Sequence, residues 1–136
     1  QTASAESEAA EAAYEQCTAF DLGDATVDHS IEGCTAYIGL ATEAQNKILA
    51  YQVRSRLRAE LSQFDLAISD LDKAIEADPS YAASYEARGM IFEKMGQSEK
   101  AIADYRDALK VNSASDKNDK DLEARVQASL ARLGAP

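Results

Sequence analysis

Residues 48–81 read ILAYQVRSRLRAELSQFDLAISDLDKAIEADPSY, and residues 82–115 read AASYEARGMIFEKMGQSEKAIADYRDALKVNSAS. Laid over each other at a shift of 34 residues, the two stretches agree where a packed helix pair needs them to. Tyr51 falls on Tyr85, Arg54 on Arg88, Ala67-Ile68 on Ala101-Ile102, Asp70 on Asp104 and Ala74 on Ala108. A period of this length marks a repeated supersecondary unit that buries its apolar face against its neighbours.

Helical signals extend the unit in both directions. Apolar residues recur at steps of three and four, and no stretch alternates as a strand would. The periodicity predicts helices over about residues 8–20, 27–41, 42–61, 64–77, 81–95, 98–111 and 119–133. Asp24 or Thr26 is placed to cap the second helix. Asp78-Pro79 stops the fourth, because the residue before proline is pushed out of the α region. Gly96 supplies a left-handed end to the fifth. Residues 1–8, QTASAESE, have no apolar period and read as a flexible leader.

The repeat resembles the tetratricopeptide repeat. That family wants an aromatic residue at repeat position 4, a small one at 8, Ala at 20, a large apolar one at 24, Ala at 27 and Pro at 32. The first unit supplies Tyr51, Ser55, Ala67, Leu71, Ala74 and Pro79. The second supplies Tyr85, Gly89, Ala101, Tyr105 and Ala108, with Ser113 in place of Pro. The resemblance implies an all-α, right-handed α-solenoid of antiparallel helix pairs. It sets a single domain over 9–136, with a degenerate repeat at 11–44, repeats at 48–81 and 82–115, and a capping helix at 119–134. In that frame Arg54 faces Asp70 and Arg88 faces Asp104, which predicts two structural ion pairs.

The degenerate repeat rests on Ser30, Cys34 and Tyr37 at positions 20, 24 and 27, and on Tyr14 and Cys17 at positions 4 and 7. Positions 7 and 24 face each other in the family, so Cys17 and Cys34 become neighbours and a disulfide is implied. Closing that loop contributes about 3 kcal/mol by chain entropy. Two buried free thiols are the alternative. A thiol oxidoreductase is a third reading, weakly motivated without Cys-x-x-Cys. A disulfide points to an oxidising compartment. The chain starts Gln-Thr-Ala-Ser-Ala with no Met, as an exported protein does after its signal is removed. These features resemble exported bacterial tetratricopeptide proteins and set the expectation of a periplasmic or secreted protein.

Charge narrows the partners. The 136 residues hold 24 acids, 14 bases and one His, for a net charge of -10. Residues 1–47 alone hold nine acids and one base. Such a chain does not hold a nucleic-acid backbone by bulk charge. No apolar run is long enough to insert in a membrane. The group Asp21, Asp24, Asp28, His29 and Glu32 lacks the spacing of a calcium loop, and neither a metal nor a cofactor is expected.

The family contacts ligands through the first helix of each repeat. The corresponding residues are Ala12, Glu15, Gln16, Ala19, Leu22 and Gly23 in the degenerate repeat, Leu49, Gln52, Val53, Arg56, Ala59 and Glu60 in the next, and Ala83, Glu86, Ala87, Met90, Glu93 and Lys94 in the last. The clamp that co-chaperone members use on a C-terminal carboxylate needs Lys, Arg and Asn there. At positions 2, 5, 6 and 9, which form that clamp, only Arg56 is basic, so the clamp is absent. The expectation is a non-catalytic scaffold or an accessory subunit of a bacterial envelope complex, with a protein or peptide partner. A homo-oligomer of stacked repeats is the alternative.

Overall fold

The computed structural model describes the backbone of residues 2–23 and 25–136, and the side chains of 7–23 and 25–136. Among the described residues seven α-helices follow in order: α1 Thr2–Thr18, α2 Val27–Leu40, α3 Ala44–Glu60, α4 Phe64–Ala77, α5 Ala82–Lys94, α6 Ser98–Ala114 and α7 Lys120–Arg132. A 3-10 turn, Ala19–Leu22, follows α1. Among the described residues there is no strand. No described helix is long and apolar enough to cross a membrane.

The chain divides into two compact units, Gln1–Ala77 and Asp78–Pro136. In the first, α1 packs on α2, α2 on α3 and α3 on α4; in the second, α5 packs on α6 and α6 on α7.

Helix ends follow local chemistry. Thr26 caps α2, its hydroxyl accepting from the His29 amide; Asp24 lies outside the described residues. Gly96 has φ 74°, and its amide donates to Glu93 O while that of Gln97 donates to Phe92 O. Ser62 stands at the equivalent place after α3 with φ 58°, and makes the matching bonds: Ser62 N to Ala59 O and Gln63 N to Arg58 O. A serine there accepts strain that glycine avoids.

Two boundaries differ from the sequence reading. Helix α1 begins at Thr2, inside the stretch read as a flexible leader. That stretch lacks an apolar stripe, but its Ala and Glu are strong helix formers. Helix α6 continues to Ala114, beyond the expected end at Val111, because Asn112 faces inward. Its carboxamide donates to Asp119 O at 2.9 Å and accepts from Asp119 N at 2.9 Å. Asp119 in turn caps α7, accepting from Asp121 N and Leu122 N.

Small residues let each pair close. Ala67 and Ala74 in the first unit, and Ala101 and Ala108 in the second, are fully buried. A Cβ on Gly89 would sit 2.8 Å from the Tyr105 ring. The equivalent positions of the preceding repeat hold Ser55 and Leu71, a larger residue opposite a smaller one. The core of the second unit is Ala82, Ala101, Tyr105, Ala108, Leu122, Val126 and Leu130. The last three are the apolar stripe of α7, each worth about 1.5–3 kcal/mol when buried.

Candidate functional site

Arg54 and Asp70 meet at 2.6 Å from Nη2 to Oδ1, with Asp70 almost fully buried. Arg54 Nε also donates to both Asp70 oxygens, and its Nη1 donates to Thr35 Oγ1 on α2 at 2.9 Å. Arg58, one turn on, gives Asp70 a second cation at 2.9 Å. In the second unit Arg88 holds Asp104 with two bonds, 2.9 and 2.8 Å. The guanidinium carbons of Arg54 and Arg88 also lie 5.7 and 6.0 Å from the ring centres of Tyr51 and Tyr85. These groups are consumed by packing.

Cys17 and Cys34 form a disulfide joining α1 to α2, with their Cα atoms 4.3 Å apart. Leu57, Phe20, Val27, Ile31 and Val53 pack around the bridge. Gly33 makes the approach possible, since a Cβ there would lie 2.5 Å from the Cys17 amide nitrogen. Both sulfurs are buried, which shields the bond from an attacking thiolate.

The expected ligand-contacting residues meet different fates. In the first unit Leu49 is exposed, and so is Glu60 at the end of α3. Gln52 is half-buried and Ala59 is buried. Val53 turns inward against the disulfide cluster. Arg56 is exposed and paired with Asp21 at 2.7 Å. In the second unit Met90 and Lys94 are exposed, while Ala83 and Ala87 are half-buried.

Glu86 and Glu93 are each paired with an arginine of α7. Arg125 donates twice to Glu86, both at 2.9 Å. Arg132 donates twice to Glu93, at 2.6 and 2.9 Å. Both arginines project from α7. Tyr105 Oη also donates to Glu93 Oε1. The Arg132 hydrogen bond holds the Glu93 carboxyl below the usual glutamate range, against the opposing effect of partial burial. Burial, with Glu93 alongside, raises the Tyr105 phenol well above its ordinary value. Both pairs are separated by 39 residues, so the two glutamates and the two arginines share a seven-residue step along the sequence.

The first unit carries an open cleft of about 430 Å3, lined by Ser7, Ala10, Glu11, Tyr14 and Glu15 of α1, Tyr37 of α2, and Asn46 and Leu49 of α3. Tyr14 and Tyr37 meet edge to face, ring centres 5.4 Å apart. Sequence reasoning supplied Glu15 and Leu49 as contact positions and placed Tyr14 at an aromatic position, but did not join them. In the second unit a recess of about 680 Å3 is lined mainly by turn residues between Asp78 and Asp116. Among the described residues no group of three metal-ligating side chains comes together. Of the acidic group near the start of α2, Asp21 turns to Arg56.

Comparison with known proteins fits this geometry. The tetratricopeptide repeat family matches residues 48–81 and, through a second form of its sequence profile, residues 71–103. The TPR2B domain of yeast Sti1, in a complex with pHsp70, superposes with a TM-score of 0.78 at 20% identity, over 93% of this chain and 97% of that one. The Arabidopsis OM64 TPR domain gives 0.68 at 27% identity, over 91% and 98%. The first TPR of Spaghetti (RPAP3), bound to the HSP90 peptide SRMEEVD, gives 0.66 at 22% identity, over 91% and 97%. No curated protein matches the sequence. The chain carries tetratricopeptide repeats and has their all-α fold of helix pairs.

Proposed function

We propose that this chain is a non-catalytic scaffold that holds a protein or peptide partner on the surfaces of its repeats. The observation that carries the reading is the cleft of the first unit, where Tyr14 and Leu49 leave apolar surface exposed on two first helices. A preformed groove of this kind binds with little rearrangement. The matched Sti1 and Spaghetti domains are described with chaperone segments bound. Here the positions of the carboxylate clamp carry Leu49, Gln52, Val53, Ala83, Glu86 and Ala87, and the one cation, Arg56, is held by Asp21. The partner is therefore not an acidic C-terminus.

The finer reading is an accessory subunit of a bacterial envelope complex, periplasmic or secreted. It draws support from the buried Cys17–Cys34 bond, which persists in oxidising compartments.

A photo-crosslinking residue at Leu49, compared with one at Leu66 on the second helix of the same repeat, tests both parts. One defined adduct from Leu49 in an envelope extract, absent from Leu66, is the expected result. Equal labelling from both sites would sink the scaffold reading. A specific adduct found only in cytoplasmic extract would sink the envelope assignment alone.

A further inference from the structure

The aromatic residue at position 4 has a different environment in the first repeat. Tyr51 carries Arg54 over its ring at 5.7 Å and Lys73 at 5.9 Å; Tyr85 carries Arg88 at 6.0 Å. The arginine comes from position 7 each time. In the first repeat position 7 is Cys17, committed to the disulfide. Among the described residues no cation of the chain lies over Tyr14, which is 39% exposed.

We infer that the Tyr14 cleft receives a lysine or arginine side chain from a basic segment of the partner, an inference that rests on the scaffold reading above. A cation over a tyrosine face is held by the ring quadrupole. The long stem of such a side chain packs on Tyr37 and Leu49 while its charged head stays at the rim.

Glu11 and Glu15 stand at that rim, one helical turn apart on α1. Like charges at this spacing repel by about 0.2–0.5 kcal/mol, and neither is paired with a base among the described residues. A bound cation removes the repulsion and gains both carboxylates. The surrounding field has the same sign, with nine acids against one base in residues 1–47. It draws in a basic segment and repels a second copy of this acidic chain.

The probe is a fluorescein-labelled decapeptide alternating serine and lysine, titrated by anisotropy into the oxidised protein. The lysine peptide is expected to bind, and to weaken with salt. Acetylation of its lysines keeps the stems, removes the charge and weakens binding about tenfold. Tyr14→Leu, which keeps an apolar body and the fold, weakens it about threefold. Glu11→Gln with Glu15→Gln weakens it about tenfold. Removing two charges elsewhere in the unit, by Asp65→Asn with Glu76→Gln, leaves it within about twofold.

Equal loss from both double variants would reduce the effect to bulk charge and overturn the inference. So would equal binding of the acetylated peptide, or no binding of the lysine peptide. If the peptide fails while Leu49 still captures a defined partner, the cationic anchor falls and the scaffold stands.

Discussion

Position 7 of a repeat is Cys17 in the first helix pair, Arg54 in the second and Arg88 in the third; position 23 is Gly33, Asp70 and Asp104. The later pairs are closed by a guanidinium and a carboxylate, and the first by a covalent bond one residue further on. The two closures demand different spacing. A carboxylate side chain at Gly33 would start with a Cβ 2.5 Å from the Cys17 nitrogen, so the disulfide and the glycine come as a set. The ionic closure serves a second purpose, because each arginine also covers a tyrosine ring. Exchanging it for a disulfide locks the helices and leaves Tyr14 with Tyr37 at its edge and no arginine from position 7 over its ring.

The largest expected effect comes from breaking the more buried ion pair. Asp70→Ala leaves Arg54 and Arg58 without their shared carboxylate, at a cost of about 3–5 kcal/mol. Asp104→Ala should cost less, about 1–3 kcal/mol, because Arg88 is 22% exposed and Arg54 9%. Urea unfolding of the two variants gives the comparison, and equal losses would show that burial does not set the difference.

Reduction of Cys17–Cys34 comes next, at about 3 kcal/mol for a loop of 17 residues. Hydrogen exchange should accelerate in α1 and α2 and stay unchanged in α5 to α7. Uniform acceleration would mean that the staple does not act locally. Gly89→Ala should cost about 1–3 kcal/mol by overpacking against Tyr105, although alanine is the better helix former. A thermal melt checks the sign, and a stabilised variant would mean that the ring moves aside.

The smallest effect is the acid response of Glu93. Its carboxyl is held below the ordinary glutamate value in the folded state. The contribution is therefore complete above that value and is lost as pH falls through the folded one. Arg132 is 59% exposed, so solvent screening keeps the effect small. Glu93→Gln should flatten this part of the stability–pH curve, and an unchanged acid slope would rule it out.

The repeats were legible because their spacing constrains the sequence directly. A helix pair that closes on alanines cannot hide Ala67, Ala74, Ala101 and Ala108, and the same frame put Cys17 near Cys34 and each arginine near its aspartate. The partner surface was not legible in the same way. Glu86 and Glu93 were assigned to an open face because position in a repeat says nothing about which later helix covers it. For the same reason the repeat frame assigned no partner to Arg125 or Arg132. Asn112 sat in a polar run that resembled a loop, and only its inward turn shows that the run begins as helix.

The two arginine–glutamate clasps of the second unit are seven residues apart on both helices, Glu86 to Glu93 and Arg125 to Arg132. Equal steps in the same direction mean that α5 and α7 run parallel and in register. Helix α7 thus stands to α5 as the opening helix of a further repeat that has no second half. A slide of α7 by one turn would uncouple both rungs together and bring no glutamate of α5 to either arginine at equal spacing. The final helix has one setting along its neighbour, as a key has one depth in a lock.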